Sequence, residues 1–237
     1  MTKKTTKILG VVIADGTSRR MQKTNSNNNA KTINKSFLLL DKKTLIEHVI
    51  NRSRLQVDTL IINGANNPQF KAFNLPLVPD SLFESSSSNS AIMSPDDSGK
   101  SKLGPLAGIV SAMQWALQQN NSTDSQYKWL ATFPCDTPFI PTNLVSQLIP
   151  AAISNNANVA CGASNERISP LCGVWSLELL PDLLKFLANG NRGVMHFLET
   201  TNYVTVNFEP ADHSDIDPFY NINTQEELDE AHRRSAN

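Results

Sequence analysis

Cysteine is scarce in this chain of 237 residues. The three cysteines, Cys135, Cys161 and Cys172, are an odd number and contain no C-x-x-C pair. That pattern argues against a disulfide framework and against a structural zinc site. Long apolar runs are also missing, since none approaches the roughly 18 residues of a membrane span. The basic N-terminus leads into an apolar segment too short for a signal peptide. We therefore expect a cytoplasmic protein that does not enter a membrane.

An excess of charge of one sign is absent as well. The 21 Lys and Arg residues face 22 Asp and Glu residues, which gives a net charge of -1 at pH 7. General nucleic-acid binders and membrane-surface binders need a basic excess. The balance predicts neither of these partners, although a local basic pocket remains compatible with it.

Apolar strand-like runs alternate with amphipathic helical patterns along most of the chain. This alternation predicts an α/β protein built from βαβ units around a mostly parallel sheet. Strands are predicted at 8–14, 59–63, 75–78, 129–133, 159–162, 171–175 and 203–208. Helices are predicted at 44–55, from Pro105, after a cap at Thr142, at 177–187, at 193–200 and after a capping box at 224–227.

Two stretches interrupt this pattern. Residues 22–34 are rich in Asn, Lys and Thr, and residues 83–103 are rich in Ser and charged side chains. Both have too few apolar residues to offset the entropy of ordering. We expect one domain over residues 1–237 with flexible surface insertions at 22–34 and 83–103, and we expect a monomer.

The first predicted strand runs directly into a basic loop. Asp15 and Gly16 follow the strand, then come Arg19 and Arg20, with Lys35 shortly before the next apolar run. Backbone N–H groups of such loops bind phosphate, and arginine adds forked donors that match phosphate oxygens. A plain turn with a solvated basic patch is an equally open interpretation of this fragment alone.

Two aspartates follow predicted strands elsewhere in the chain. Asp80 and Asp136 each come directly after an apolar run, and ligands bind at the carboxyl ends of strands in open sheets. Mg²⁺ is commonly held there by one or two carboxylates and substrate phosphates. Each aspartate taken singly is more typical of a turn, but together with the basic loop they favour metal-dependent phosphoryl chemistry.

Nine short motifs occur in a fixed order along the chain. They are Ile13-Ala14-Asp15-Gly16 with Arg20-Met21, Lys35 before Phe37-Leu38-Leu39, Ile62-Asn63, Val78-Pro79-Asp80-Ser81, Gly104-Pro105-Leu106-Ala107-Gly108, Pro134-Cys135-Asp136-Thr137-Pro138, Ser169-Pro170, Arg192-Gly193-Val194-Met195 and Asn221-Ile222-Asn223-Thr224. In this order they resemble the MobA-like nucleotidyltransferases, the family of the molybdenum cofactor guanylyltransferases. The resemblance covers the chain from about Gly10 to about Glu230, apart from the two insertions.

The resemblance implies a Rossmann-like nucleotidyltransferase fold with helices on both faces of the sheet. It also implies transfer of GMP from GTP to the phosphate of molybdopterin (Mo-molybdopterin), which releases pyrophosphate and forms the guanine dinucleotide form of the cofactor. The implied partners are these two substrates and, transiently, molybdoenzymes or cofactor chaperones.

The resemblance also assigns roles to individual residues. It implies that Arg20, Lys35 and Asp136 are catalytic and that Asp136 holds Mg²⁺. The implied nucleotide site consists of Ile13, Ala14, Asp15, Gly16, Lys35, Asn63, Asp80 and Asp136. Ser169-Pro170, Arg192 and Asn223 fall in the region that approaches the pterin.

The chain departs from the family pattern within the first loop. Asp15 stands where members usually carry glycine, and its carboxylate and Cβ oppose a triphosphate and a positive φ. Two alternatives therefore stay open: a cytidylyltransferase acting on the same pterin, and a non-catalytic protein that binds a nucleotide or the cofactor and delivers it. An NAD-dependent oxidoreductase is disfavoured, because the first turn lacks G-x-G-x-x-G.

Overall fold

A computed structural model describes residues 6–14, 34–64, 67–80, 104–122, 126–210 and 215–235. The loop from Asp15 to Arg20 and the predicted insertions at 22–34 and 83–103 lie outside these ranges, apart from Asn34. The expectations for those segments therefore stay predictions. Within the described ranges, no helix has both the length and the apolar character that crossing a membrane requires.

A seven-stranded sheet forms the centre of the molecule. The strands of the described residues are β1 (Thr6–Ile13), β2 (Leu39–Leu40), β3 (Lys43–Thr44), β4 (Thr59–Asn63), β5 (Leu77–Val78), β6 (Gln126–Pro134), β7 (Val159–Ser164), β8 (Arg167–Ser176) and β9 (Tyr203–Asn207). The large sheet has the order β5-β4-β1-β6-β8-β7-β9, and β2 and β3 form a separate hairpin. Only β8 runs antiparallel to its neighbours in the large sheet. The predicted mostly parallel α/β sheet is confirmed.

Helices cover both faces of this sheet. They are α1 (Leu45–Ser53), α2 (Pro105–Ser122), α3 (Leu144–Ser154), α4 (Leu180–Ala188), α5 (Val194–Leu198) and α6 (Gln225–Ser235). Successive side chains of a strand point to opposite faces, so β1 contributes Val11 to the core beneath α2 and α4, and Val12 to the core beneath α1 and α3. This alternation explains why β1 is apolar throughout its buried length.

The start of α3 differs from its prediction. Thr142 was expected to cap this helix, and that expectation is wrong: α3 begins at Leu144 after Asn143, which makes no side-chain cap. The missing acceptor comes from Gln56, whose Oε1 accepts the backbone N–H of Val145 at 3.0 Å. The Gln56 amide also donates to the carbonyl of Pro141 at 3.0 Å. A distant glutamine thus ties α3 and its preceding loop to the end of α1.

We predict that Gln56→Ala lowers the free energy of unfolding by about 1–3 kcal/mol, because it leaves the Val145 N–H at the start of α3 without its acceptor. The matched control is Thr142→Ala, whose effect should stay within about 0.5 kcal/mol because Thr142 is exposed. Urea unfolding of both variants measures the difference. Equal losses would show that Gln56 does not cap α3.

Candidate active site

A cleft of about 230 Å³ opens at the carboxyl edge of the parallel strands. Strands β1, β4 and β6 end there, β5 ends beside it, and α2 begins on its far side. Its lining residues are Ile13, Asn63, Asp80, Gly104, Pro105, Gly108, Pro134, Cys135, Asp136, Leu171 and Asn221. Open α/β sheets bind ligands at this edge. The sequence predicted Ile13, Asn63, Asp80 and Asp136 as site residues, and the structure brings these four together.

An ion pair lies at the β6 end of the cleft, where Asp136 is a lining residue and Lys35 is its partner. Lys35 Nζ lies 2.6 Å from Asp136 Oδ2, and the two side chains are only 5% and 19% exposed. The Lys35 ammonium also donates to Asn223 Oδ1 at 2.6 Å and reaches Asn221 Oδ1 at 3.4 Å. All three donors of the ammonium group are therefore directed at oxygen atoms. Sequence reasoning assigned Lys35 and Asp136 separate roles and did not anticipate their contact.

Backbone hydrogen bonds fix the segments that carry this pair. Ile222 N–H donates to the carbonyl of Asp136 at 2.9 Å, and Cys135 N–H donates to the carbonyl of Ile13 at 3.0 Å. Ser36 Oγ, next to Lys35, donates to the carbonyl of Ala14 at 3.4 Å. The ends of β1 and β6 and the segment before α6 are thereby held at one place. Ala14, another predicted site residue, is part of this scaffold.

The other end of the cleft carries Asp80 and Asn63. Asn63 is fully buried at the end of β4, and its Nδ2 donates to the carbonyl of Val78 at 3.0 Å and to Asp80 Oδ1 at 2.9 Å. The Asp80 carboxylate is therefore oriented by the amide, and its second oxygen has no partner among the described residues. The second carboxylate oxygen of Asp80 is therefore left as an acceptor at this end of the cleft.

Gly108 in α2 allows this arrangement. A Cβ at Gly108 would lie 2.2 Å from Asn63 Oδ1 and 2.8 Å from Asn63 Cγ, so any larger residue would have to displace the hydrogen-bonded Asn63 amide. Glycine is thus required by the close approach of α2 to the end of β4. Asn63 Oδ1 is also the one buried side-chain N or O atom of the described residues without a hydrogen-bond partner.

Cys135 also lines the cleft, next to Asp136, and is 2% exposed. Burial, and secondly the charge of Asp136, raise the pKa of its thiol to about 12. The thiolate is the reactive form of cysteine, so Cys135 stays protonated at neutral pH. This argues against Cys135 as a nucleophile.

The described residues contain no group of three or more His, Cys, Asp or Glu side chains that could hold a metal ion by themselves. One carboxylate is sufficient for Mg²⁺ when substrate phosphates complete the coordination. Asp136 Oδ1 accepts only a long 3.4 Å hydrogen bond from Thr137 Oγ1. The donor set therefore fits a metal ion that arrives with a nucleotide.

The remaining predicted residues are Asp15, Gly16, Arg20, Arg192, Ser169 and Pro170, of which Ser169 and Pro170 lie within β8. Asp15, Gly16 and Arg20 lie outside the described residues. Arg192 is described, and its guanidinium donates to the carbonyls of Leu187 and Asn191 at the end of α4. Asn221 and Leu171 also line the cleft. Asn221 belongs to the motif at 221–224 but was given no role from the sequence, and Leu171 belongs to none of the nine motifs. The position of Asn221 two residues before Asn223 was the available signal.

A family model and a curated relative both match this chain over most of its length. The family model of the MobA-like NTP transferase domain matches residues 10–206. The molybdenum cofactor guanylyltransferase of Brucella ovis is 32% identical over 229 residues, which cover 94% of this chain and 90% of the relative.

Solved structures share the fold. Molybdopterin-guanine dinucleotide biosynthesis protein A of Archaeoglobus fulgidus has a TM-score of 0.65 at 17% identity, with 97% of this chain and 98% of that chain covered. A Mycobacterium tuberculosis protein solved in complex with manganese has a TM-score of 0.60 at 10% identity, with 96% and 98% covered. At these identities the likeness concerns the fold alone.

The buried ion pair leads to a stability prediction. Lys35→Met leaves the Asp136 charge without its cation and should cost about 3 kcal/mol of unfolding free energy, the low end for a buried pair because Asp136 keeps some exposure. The double variant Lys35→Met/Asp136→Leu should recover most of that loss. Denaturant titrations of the four proteins form a double-mutant cycle. Strictly additive losses would contradict the interaction.

Proposed function

The chain belongs to the MobA-like NTP transferase family, nucleotidyltransferases of molybdenum cofactor biosynthesis, and on this premise we propose that it transfers GMP from GTP to the phosphate of molybdopterin. The reaction releases pyrophosphate and forms the guanine dinucleotide form of the cofactor. The observation that carries the proposal is one cleft with a lysine–aspartate pair at one end and an oriented carboxylate at the other.

The lysine end of the cleft suits the triphosphate. A phosphate oxygen of molybdopterin forms a bond to the α-phosphorus of GTP, and the bond to the β-phosphate oxygen breaks as pyrophosphate leaves. The attacking phosphate is already ionised, so the site needs no general base. Lys35 is placed to neutralise charge on the phosphates, and preorganised charge is the main contribution a protein makes to such reactions.

Asp136 is the residue we propose as the ligand of Mg²⁺. The bound cation would supply charge neutralisation at the phosphate oxygens. Lys35 and Asp136 would then exchange their mutual contact for contacts to the bound nucleotide. The buried pair of the ligand-free protein keeps both side chains at the place where we expect the phosphates.

The carboxylate end of the cleft favours guanine over cytosine. The Watson–Crick edge of guanine presents two adjacent donors, N1–H and N2–H, whereas cytosine presents a single donor group, its N4 amine, beside acceptors. A carboxylate accepts hydrogen bonds and donates none at neutral pH. Asp80, oriented by Asn63 at 2.9 Å, therefore matches GTP better than CTP.

We place the reaction in the cytoplasm. All three cysteines are free and buried in the structure, and unpaired cysteines are typical of a reducing compartment. The acceptor molybdoenzymes or chaperones and the monomeric state stay predictions from the sequence.

The function predicts Mg²⁺-dependent pyrophosphate release from GTP only when molybdopterin is present. Asp80→Asn should weaken GTP binding about tenfold or more, because it replaces one acceptor of a bidentate contact by a donor. The matched control, Asp182→Asn, changes an exposed aspartate of α4 and should leave GTP binding unchanged. Calorimetric titration with GTP and with CTP measures both variants.

Three results would contradict the proposal. Tighter binding and turnover of CTP would point to a cytidylyltransferase. GTP binding without pyrophosphate release in the presence of molybdopterin and Mg²⁺ would point to a delivery protein, and Asp15→Gly would then improve binding without restoring turnover. Equal GTP affinity of Asp80→Asn and wild type would remove Asp80 from the base site.

A further inference from the structure

The segment before α6 binds Lys35 through an asparagine whose position is itself fixed by a carboxylate. Asn223 Oδ1 accepts from Lys35 Nζ at 2.6 Å, while Asn223 Nδ2 donates to Asn221 Oδ1 at 2.7 Å. These two contacts orient the amide, so that its oxygen faces the ammonium group. The amide oxygen can keep its contact with Lys35 only if the backbone of Asn223 stays in place.

Glu227 in the first turn of α6 holds that backbone. Its Oε2 accepts the N–H of Thr224 at 2.9 Å and also the N–H of Asn223. Thr224 Oγ1 in turn accepts the N–H of Glu227 at 3.2 Å. The exchange between Thr224 and Glu227 is an ordinary capping box. The additional bond to Asn223, one residue before the cap, is not part of that motif.

This additional bond links the helix start to the candidate active site. On its other side, Ile222 is fully buried with Leu40, Leu45 and Leu228, and its N–H donates to the carbonyl of Asp136. The Asn223 backbone is thus held from both sides, by the core at Ile222 and by the carboxylate of Glu227. Removal of the carboxylate frees the side that faces α6.

We infer that Glu227 is a positioning residue, which fixes Asn223 and thereby aims the Lys35 ammonium at the phosphate end of the cleft. The carboxylate of Glu227 contacts neither Lys35 nor Asp136; it is connected to Lys35 only through Asn223. The effect of Glu227 on catalysis rests on the proposed function, whereas its effect on the position of Lys35 does not. The two parts can be measured separately.

Two variants separate positioning from helix capping. Glu227→Ala removes the capping box together with the bond to Asn223. Thr224→Ala removes only the hydroxyl acceptor of the box and leaves both backbone bonds to Glu227 intact. Both variants should lower the melting temperature, because both weaken the start of α6. Glu227→Gln keeps an acceptor oxygen and serves as the conservative variant.

The direct test is the reactivity of Lys35 towards a dilute acetylating reagent, read by mass spectrometry. Lys35 is buried, with 4% of the whole residue exposed. The exposed Lys42 and Lys43 provide internal references for its labelling. Glu227→Ala should raise acetylation of Lys35 several-fold relative to the references. Thr224→Ala and Glu227→Gln should stay near wild type. Equal labelling of Lys35 in Glu227→Ala and wild type, or equal increases in Glu227→Ala and Thr224→Ala, would overturn the inference.

The catalytic arm measures kcat and KM for pyrophosphate release from GTP. Glu227→Ala should lower kcat by about tenfold or more, since small displacements of a catalytic group are costly. Thr224→Ala should keep kcat near wild type, and Glu227→Gln should restore most of the loss. A kcat of Glu227→Ala equal to that of Thr224→Ala would contradict the positioning role. If wild type releases no pyrophosphate, the proposed function fails, and the acetylation pattern still decides the role of Glu227.

Discussion

The contact between Lys35 and Asp136 is the interaction on which the site depends. It joins residues 101 positions apart in the chain, and both charges are largely withdrawn from water. A buried charge without a partner is strongly unfavourable. The short 3-10 helix Lys35–Phe37, the end of β6 and the segment before α6 must therefore meet at this point. Two of these segments contribute Asp136 and Asn221 to the lining of the cleft.

Much of the fold is local enough to be predicted from the sequence. The strand runs and the capping box before α6 each depend on residues within a few positions of one another. The placement of Asp80 and Asp136 at one edge followed from a general property of parallel sheets. The hydrogen bond from Asn63 to Asp80, at the ends of the paired strands β4 and β5, was not predicted.

The rest depends on contacts that no local pattern contains. Gln56 replaces Thr142 as the cap of α3 across 89 positions of sequence. Lys35 meets Asp136 and Asn223 because three distant segments converge, and separate local patterns do not show which polar groups pair. Gly108 is part of a motif in the sequence, but its reason, the approach to Asn63 Oδ1, exists only in the folded protein.

The central claim is that a nucleotide binds along this cleft, with its base at Asp80 and its phosphates at Lys35. A larger cleft of about 600 Å³, lined partly by Arg52 and Asn143, offers a different cation for a phosphate. A crystal structure with Mg²⁺ and α,β-methylene GTP tests the claim most directly. We expect the guanine edge on the Asp80 carboxylate and a phosphate oxygen within hydrogen-bond distance of Lys35 Nζ. A nucleotide seated at Arg52, with the Lys35–Asp136 pair unchanged, would contradict it.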